Sequence, residues 1–162
     1  MKTLVVMRHA KSRWGDPQAA DIDRPLNKRG MKSAKAIGDW LAKAQAIPDL
    51  VLCSSARRTA QTWENTGLNA EIRFLPTLYH ASPGAIFTEL RQAEGDCVLV
   101  LGHNPGIAFF AGMVIDGPPQ HQRFGDYPTA ATLIADYDGE WPDIAPAKAK
   151  ARAFTIPRNL LE

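Results

Sequence analysis

A regular alternation of short apolar runs with segments of helical periodicity constrains the fold more than any other feature of the sequence. Short, continuous apolar runs are typical of strands covered on both faces, and they lie at 3–7, 50–53, 72–75 and 97–101. Helical patterns follow these runs at 28–45, 56–66, 83–93 and from about 105. Two late strands are predicted at 130–137 and 152–156. The order β-α-β-α-β-α-β-α-β-β predicts an α/β fold, a three-layer α/β/α sandwich with a mainly parallel central sheet.

Residues that begin helices flank the predicted helical segments. Asn27 is the predicted N-cap of the first helix, and Ser54 or Ser55 that of the second. Asn104 is the predicted N-cap of the fourth helix, with Pro105 in its first turn. The second and fourth helices therefore begin directly after the ends of two strands.

Length and composition limit the classes of function. A chain of 162 residues without a linker-like stretch is predicted to form a single domain over 1–162. The net charge of +2 gives no global attraction for nucleic acid, and no apolar stretch has the length of a transmembrane helix or a signal peptide. Cys53 and Cys97 flank apolar runs and are interpreted as buried thiols in a reducing compartment. We therefore expect a soluble, cytoplasmic protein with neither a nucleic-acid nor a membrane partner.

Polar clusters follow three of the predicted strands. The first strand ends in Arg8 and His9, the second runs into "SSARRTAQT" at 54–62, and the fourth runs into "GHNPG" at 102–106. Because the carboxyl ends of parallel strands share one edge of a sheet, these clusters are expected to form one pocket. Adjacent residues of a strand point to opposite faces, so Arg8 and His9 can share that pocket only if the chain leaves the strand there.

The cations around His9 indicate its chemistry. Arg8, Lys11 and Arg13 each disfavour a second positive charge, which predicts a lowered pKa and a neutral imidazole at His9. A neutral ring leaves one nitrogen free as a nucleophile, an acceptor or a metal ligand. Guanidinium groups match phosphate oxygens, and helix N-termini add N–H donors. The pocket is therefore predicted to bind a phosphoryl group and to transfer it to His9.

Four short motifs resemble those of one family. "RHAKS" resembles the Arg-His-Gly signature of the histidine phosphatase superfamily, with Ala10 in place of glycine. "DRPLNKRG" at 23–30 is similar to a motif of its small phosphatase branch, "SSARRTAQT" to its second arginine motif, and "GHNPG" to its second histidine motif. The resemblance is nearest to the SixA-type phosphohistidine phosphatases and extends from residue 3 to about residue 135.

The resemblance implies a phosphoglycerate mutase-like fold and a set of catalytic residues. His9 would attack phosphorus and become phosphorylated, Arg8, Arg58 and His103 would hold the phosphoryl oxygens, and water would hydrolyse phospho-His9. Matching Ser-x-x-x-Arg-x-x-Gln-Thr selects Arg58 over Arg57. The mechanism requires neither a metal nor a cofactor. Lys11, Ser12 and Asn104 are also expected to bind substrate. Lys11 and Ser12 are equally compatible with a solvent-exposed loop.

Other interpretations of the histidines were weighed against this one. His80 in "LYHAS" is expected to pack or to face solvent, and His121 to lie on the surface. A zinc site built from His9 and His103 is disfavoured, because no carboxylate or cysteine accompanies them at ligand spacing and the arginines repel a cation.

The substrate class depends on a proton donor for the leaving group. Relatives that act on alcohol esters carry an acidic residue after the third strand, whereas the first carboxylate here is Glu89, a helix turn or more from the sheet edge. Asp16, Asp21 and Asp23 remain open as donors. The nitrogen of a phosphoramidate can be protonated before it leaves, so the missing acid favours phosphohistidine on a protein. The alternatives are a small-molecule phosphomonoesterase or mutase, and a non-catalytic phosphate-binding module.

Overall fold

A six-stranded sheet forms the centre of the molecule in the computed structural model, which describes residues 1–14 and 16–161. The strands are β1 (Lys2–Arg8), β2 (Leu50–Ser54), β3 (Glu71–Leu75), β4 (Cys97–Gly102), β5 (Thr132–Tyr137) and β6 (Ala149–Thr155). Their order across the sheet is β3-β2-β4-β1-β5-β6. The strands β1, β2, β3 and β4 are parallel to one another. β5 pairs antiparallel with both β1 and β6. The prediction of a mainly parallel sheet is therefore confirmed.

Helices cover both faces of this sheet. They are α1 (Lys28–Lys43), α2 (Arg57–Asn65), α3 (Pro83–Leu90), α4 (Gly106–Val114) and α5 (Pro157–Leu161), with single 3-10 turns at Asp21–Asp23, Pro76–Leu78 and Trp141–Asp143. The first four helices match the predicted segments, while α5 was not predicted. None of the helices in the described ranges is long and apolar enough to cross a membrane.

The core consists of two apolar clusters, one on each face of the sheet. Leu4 and Val6 of β1 belong to the cluster that includes residues of α3 and α4. Val5 and Met7 belong to the opposite cluster, which includes residues of α1. Both faces of β1 are therefore buried, which explains its continuous apolar run and confirms the three-layer architecture.

The start of α1 agrees with the sequence prediction. The Asn27 side chain accepts a hydrogen bond of 2.8 Å from the Gly30 N–H and caps the helix. A Cβ atom at Gly30 would clash with the carbonyl oxygen of Lys11, so glycine allows α1 to pack closely against the loop after β1.

The predicted caps of α2 and α4 are wrong. Ala56 occupies the N-cap position of α2, and the Ser54 hydroxyl is instead directed to a histidine described below. Pro105 occupies the N-cap position of α4. The Asn104 amide donates to the carbonyls of Asp126 and Tyr127, at 3.0 Å each, and so joins the start of α4 to the loop before β5.

The two cysteines differ in exposure. Cys53 is buried in β2 as predicted, whereas Cys97 at the start of β4 is only partly buried, and both thiols are free.

Candidate active site

A cleft of about 280 Å³ opens at the carboxyl ends of β1, β2 and β4. All seven side chains predicted from the sequence line it: Arg8, His9, Lys11, Ser12, Arg58, His103 and Asn104. Five further residues complete the lining: Trp14, Asp21, Arg24, His80 and Thr129. Parallel pairing places the strand ends side by side, since Arg8 of β1 lies in register with Gly102 of β4.

His9 is held with one ring nitrogen free. β1 ends at Arg8, and the backbone N–H of His9 donates to the Gly102 carbonyl at the end of β4 at 3.1 Å. Its Nδ1 lies 2.7 Å from the Ala10 carbonyl oxygen. Because a carbonyl can only accept, Nδ1 carries the hydrogen and the neutral ring keeps its lone pair on Nε2.

Burial is the main cause of the neutral state of His9. Burial lowers the pKa of the His9 imidazole to about 3, against the raising effect of the hydrogen bond to Ala10. Three cations lower this pKa further, and they are Arg8, Arg58 and Arg24. The prediction that neighbouring cations alone, with Lys11 and Arg13 among them, lower this pKa is therefore wrong, because burial contributes most and the cations involved are Arg8, Arg58 and Arg24.

His103 lies beside His9, with 5.3 Å between the ring centroids. Its Nε2 is 2.8 Å from the Ser54 hydroxyl, whose oxygen accepts from the Ala56 N–H at 3.3 Å, so the hydroxyl can donate its own hydrogen to Nε2 while Nδ1 carries the hydrogen of the neutral ring. Burial lowers the pKa of His103 to about 3, with smaller contributions from His9, Arg58 and His80. Its Nδ1 is buried without a hydrogen-bond partner among the described residues, and an unsatisfied polar atom in a cleft wall is available to a ligand.

The two adjacent arginines of α2 point in different directions. Arg58 is 3% exposed and donates to the Asp21 backbone carbonyl at 2.7 Å and to its Oδ2 at 3.0 Å. Arg57 is exposed and lines a neighbouring cleft instead. The geometry therefore agrees with the selection of Arg58. Arg8 donates to the Tyr127 carbonyl at 3.2 Å, while its Nε is buried without a partner in the described part of the chain.

The carboxylate of Asp21 connects the other polar groups of the cleft. It accepts hydrogen bonds from the Tyr79 hydroxyl, from Arg24 at 2.9 Å and from Arg58 at 3.0 Å. The Tyr79 hydroxyl holds the pKa of the Asp21 carboxyl well below its usual range; partial burial opposes this, and Arg24 and Arg58 reinforce it. Asp21 is therefore ionised near neutral pH and cannot serve as a proton donor.

Comparison with known proteins identifies the family. Residues 4–86 match the histidine phosphatase superfamily (branch 1). The chain belongs to this superfamily. An uncharacterised protein of Mycobacterium tuberculosis is 36% identical over 160 residues, which cover 94% of this chain and 100% of the relative. A 2,3-bisphosphoglycerate-dependent phosphoglycerate mutase of Bifidobacterium longum is 32% identical over 105 residues, which cover 57% of this chain and 42% of the mutase.

Two solved structures extend the similarity to the whole fold. A candidate phosphohistidine phosphatase SixA from Nakamurella multipartitia superposes with a TM-score of 0.84 at 32% identity, covering 96% of each chain. The corresponding protein from Agrobacterium tumefaciens superposes with a TM-score of 0.80 at 26% identity, covering 96% of this chain and 98% of the other. The resemblance to the SixA-type branch and the phosphoglycerate mutase-like fold are thus confirmed.

Sequence reasoning missed Arg24 of this histidine phosphatase, although the motif at 23–30 contains it. Its guanidinium bonds the Ser12 hydroxyl and the Arg13 carbonyl, the latter at 3.0 Å. The Trp14 ring stacks over it with 3.4 Å between the guanidinium carbon and the ring centroid. Trp14 is 80% exposed, so an aromatic surface lies at the cleft of this phosphatase.

His80 packs against Tyr79 and is half exposed, which agrees with the prediction, and its side chain also lines the cleft. No periodic signal could have placed it, since it lies in an irregular segment between β3 and α3. The remaining carboxylates left open as acids lie elsewhere. Asp16 and Asp23 line the neighbouring cleft that contains Arg57, and Glu89 accepts from the Thr77 hydroxyl at 2.9 Å.

Proposed function

We propose that this protein is a phosphatase that acts through a phosphohistidine at His9 and removes the phosphoryl group from phosphohistidine on another protein. The observation that carries this proposal is the fixed Nδ1 hydrogen of the buried His9 ring, which leaves the Nε2 lone pair free in a cleft rich in guanidinium groups. Such a nitrogen needs no deprotonation before it attacks.

In the first step, the Nε2 lone pair of His9 attacks phosphorus. The bond between phosphorus and the leaving atom breaks, and that atom takes up a proton. The guanidinium groups of Arg8 and Arg58 and the ring of His103 hold the phosphoryl oxygens as charge develops. The partnerless Nε of Arg8 and Nδ1 of His103 are suited to this role, since a phosphoryl oxygen would satisfy both.

In the second step, water attacks phosphorus, the phosphorus–nitrogen bond breaks and the electron pair returns to Nε2 of His9. Inorganic phosphate leaves with the water oxygen. We propose that Lys11, Ser12 and Asn104 bind the substrate around the cleft. The arginines and N–H groups stabilise the negative charge of the phosphoryl group, which metal ions stabilise in other phosphatases. We therefore propose that turnover does not require a metal ion.

Two observations support a phosphohistidine substrate. The candidate SixA structure from Nakamurella multipartitia matches almost the whole chain. None of the four carboxylates left open by the sequence is suited to protonate an alkoxide, because Asp21 is ionised and the other three do not line the cleft. A cytoplasmic location fits such a substrate and remains a prediction.

A small-molecule phosphomonoesterase is the second candidate function. It is favoured by the similarity to the phosphoglycerate mutase and by the imidazole of His80 in the cleft, which could assist an ester leaving group.

Trapping of the phosphoenzyme tests the proposal. Acid-sensitive, alkali-stable label should appear on His9 after mixing with a radiolabelled phosphohistidine protein, and His9→Ala should remove both the label and turnover while leaving the circular dichroism spectrum unchanged. His121→Ala is the matched control, because His121 lies outside the cleft and bonds Asn159. Substantial turnover by His9→Ala contradicts the mechanism.

A substrate panel separates the two candidates. With excess EDTA present, kcat/KM should decrease in the order phosphohistidine protein, aryl phosphate, alkyl phosphate. A sugar phosphate or phosphoglycerate as the best substrate favours the second candidate.

A further inference from the structure

The first step requires a proton for the leaving atom, and most groups in the cleft cannot supply it. Arginines stay protonated. Asp21 is ionised, and His103 is neutral because burial lowers its pKa to about 3. The Tyr79 hydroxyl already donates to Asp21, and burial together with that carboxylate raises its pKa. A lysine ammonium holds its proton too tightly near neutral pH to act as an efficient acid.

Among the titratable side chains that line the described part of the cleft, the remaining group is the imidazole of His80. Its Nε2 lies 3.3 Å from Oδ2 of Asp21. Because a carboxylate can only accept, this nitrogen carries a hydrogen, and Asp21 fixes the orientation of the ring. Nδ1 of His80 has no hydrogen-bond partner among residues 1–14 and 16–161, which leaves it available to a ligand in the cleft.

Neighbouring groups hold this ring in place on several sides. The ring centroid of His80 lies 4.2 Å from that of Tyr79 and 5.0 Å from that of His103. The side chain is 52% exposed, so the imidazole can exchange protons with solvent between turnovers.

The backbone at His80 adopts a conformation that histidine seldom takes. Its φ of 52° lies in the left-handed region. The next residue, Ala81, packs closely against the start of α4. Its carbonyl oxygen lies so near Gly106 that a Cβ atom at that position would clash with it. A left-handed conformation held by close packing next to a cleft is the kind of local strain that functional sites retain.

We propose that His80 is the proton donor to the leaving group, with Asp21 as its positioning residue; the proposal rests on the function proposed above. The donor is the imidazolium form of His80, which carries hydrogens on both ring nitrogens; as Nε2 of His9 bonds to phosphorus, the leaving atom takes the proton from Nδ1, and His80 becomes a neutral ring that keeps its Nε2 hydrogen on Asp21. In the second step the water proton returns to Nδ1 as the water oxygen bonds to phosphorus. With phosphohistidine the leaving atom is an imidazole nitrogen; an alkoxide is a poorer leaving group, so slow turnover of alkyl esters depends on His80 more strongly.

The test removes the imidazole without disturbing the backbone. Glycine accepts a φ of 52°, so His80→Gly should fold and leave space for free imidazole. Gln45→Gly is the matched control, because Gln45 has a φ of 56° at the end of α1 and does not line the cleft. His80→Asn provides a second variant, since asparagine also tolerates this conformation.

Measurements of kcat/KM over a series of phosphate esters distinguish a proton donor from a structural residue. For His80→Gly and His80→Asn, the loss should be a few-fold with nitrophenyl phosphate and should rise to about 10²–10⁴-fold with alkyl phosphates. Added imidazole should restore the rate of His80→Gly with the poor leaving groups, while Gln45→Gly behaves as the wild type.

An equal loss for every ester, without rescue by imidazole, overturns the role of His80 while the phosphoenzyme at His9 still forms. A wild-type protein that neither becomes phosphorylated at His9 nor turns over any ester overturns the proposed function and, with it, this inference.

Discussion

At the scale of single residues, Arg58 offers the sharpest comparison, because Arg57 beside it provides a matched control. Successive residues of a helix differ by about 100° around its axis, so only one of the two can face the cleft. Arg58→Ala removes a charge-assisted contact to the phosphoryl group, which costs about 2–4 kcal/mol and lowers kcat/KM by roughly 30- to 1000-fold. Arg57→Ala should change it less than about threefold. Inhibition by inorganic phosphate should weaken in parallel. Equal effects, or the reverse order, contradict the assignment.

The residues around the cleft divide into those that the sequence predicts and those that it does not. Arg8 ends β1, His9 and His103 directly follow β1 and β4, and parallel pairing brings these strand ends together whatever the intervening loops do. Asp21 reaches the same cleft from a short 3-10 turn and His80 from an irregular segment, and the paths of both depend on contacts distant in sequence. Strand periodicity and short motifs carry no information about such paths.

At the scale of elements, the four long helices and all six strands were predicted to within a few residues, while the caps were less predictable. Asn104 has the side chain of an N-cap, yet its amide bonds two carbonyls before β5, a tertiary contact that outweighs its local preference. Helix α5 has five residues, too few for a periodic pattern to reveal.

The two glycines of α4 test how this helix positions the cleft. A Cβ atom at Gly106 would clash with the Ala81 carbonyl, next to His80, whereas a Cβ atom at Gly112 would have no neighbour within 4 Å. Gly106→Ala should therefore lower the free energy of unfolding by about 1–3 kcal/mol and reduce turnover. Gly112→Ala should raise the free energy of unfolding by up to about 1 kcal/mol and leave turnover unchanged. Urea unfolding and steady-state kinetics measure both effects, and equal stabilities of the two variants would show that the contact is not tight.

At the scale of the whole molecule, the fold concentrates charge that the sequence average conceals. The net charge is +2, yet Arg8, Arg24 and Arg58 line one cleft together with two buried, neutral histidines. The two core clusters support β1 from both faces and so provide the rigid base on which this edge of the sheet is built. That the whole chain forms one domain stays a prediction.

The two buried histidines link this site to the stability of the whole fold. The pKa values of His9 and His103 are about 3 in the folded protein, against about 6.5 in an unfolded chain. Between these values the unfolded state binds more protons, so the free energy of unfolding falls as pH decreases from about 6.5 toward 3, by up to about 1.4 kcal/mol per pH unit for each histidine.

Urea unfolding at pH 7, 6 and 5 should show this decline. It should be shallower in His9→Gln and in His103→Gln, each of which lacks one of the two buried histidines. A slope in His9→Gln equal to that of the wild type would mean that folding does not lower the pKa of His9, so the neutral ring on which the proposed mechanism depends would be lost below about pH 6.5.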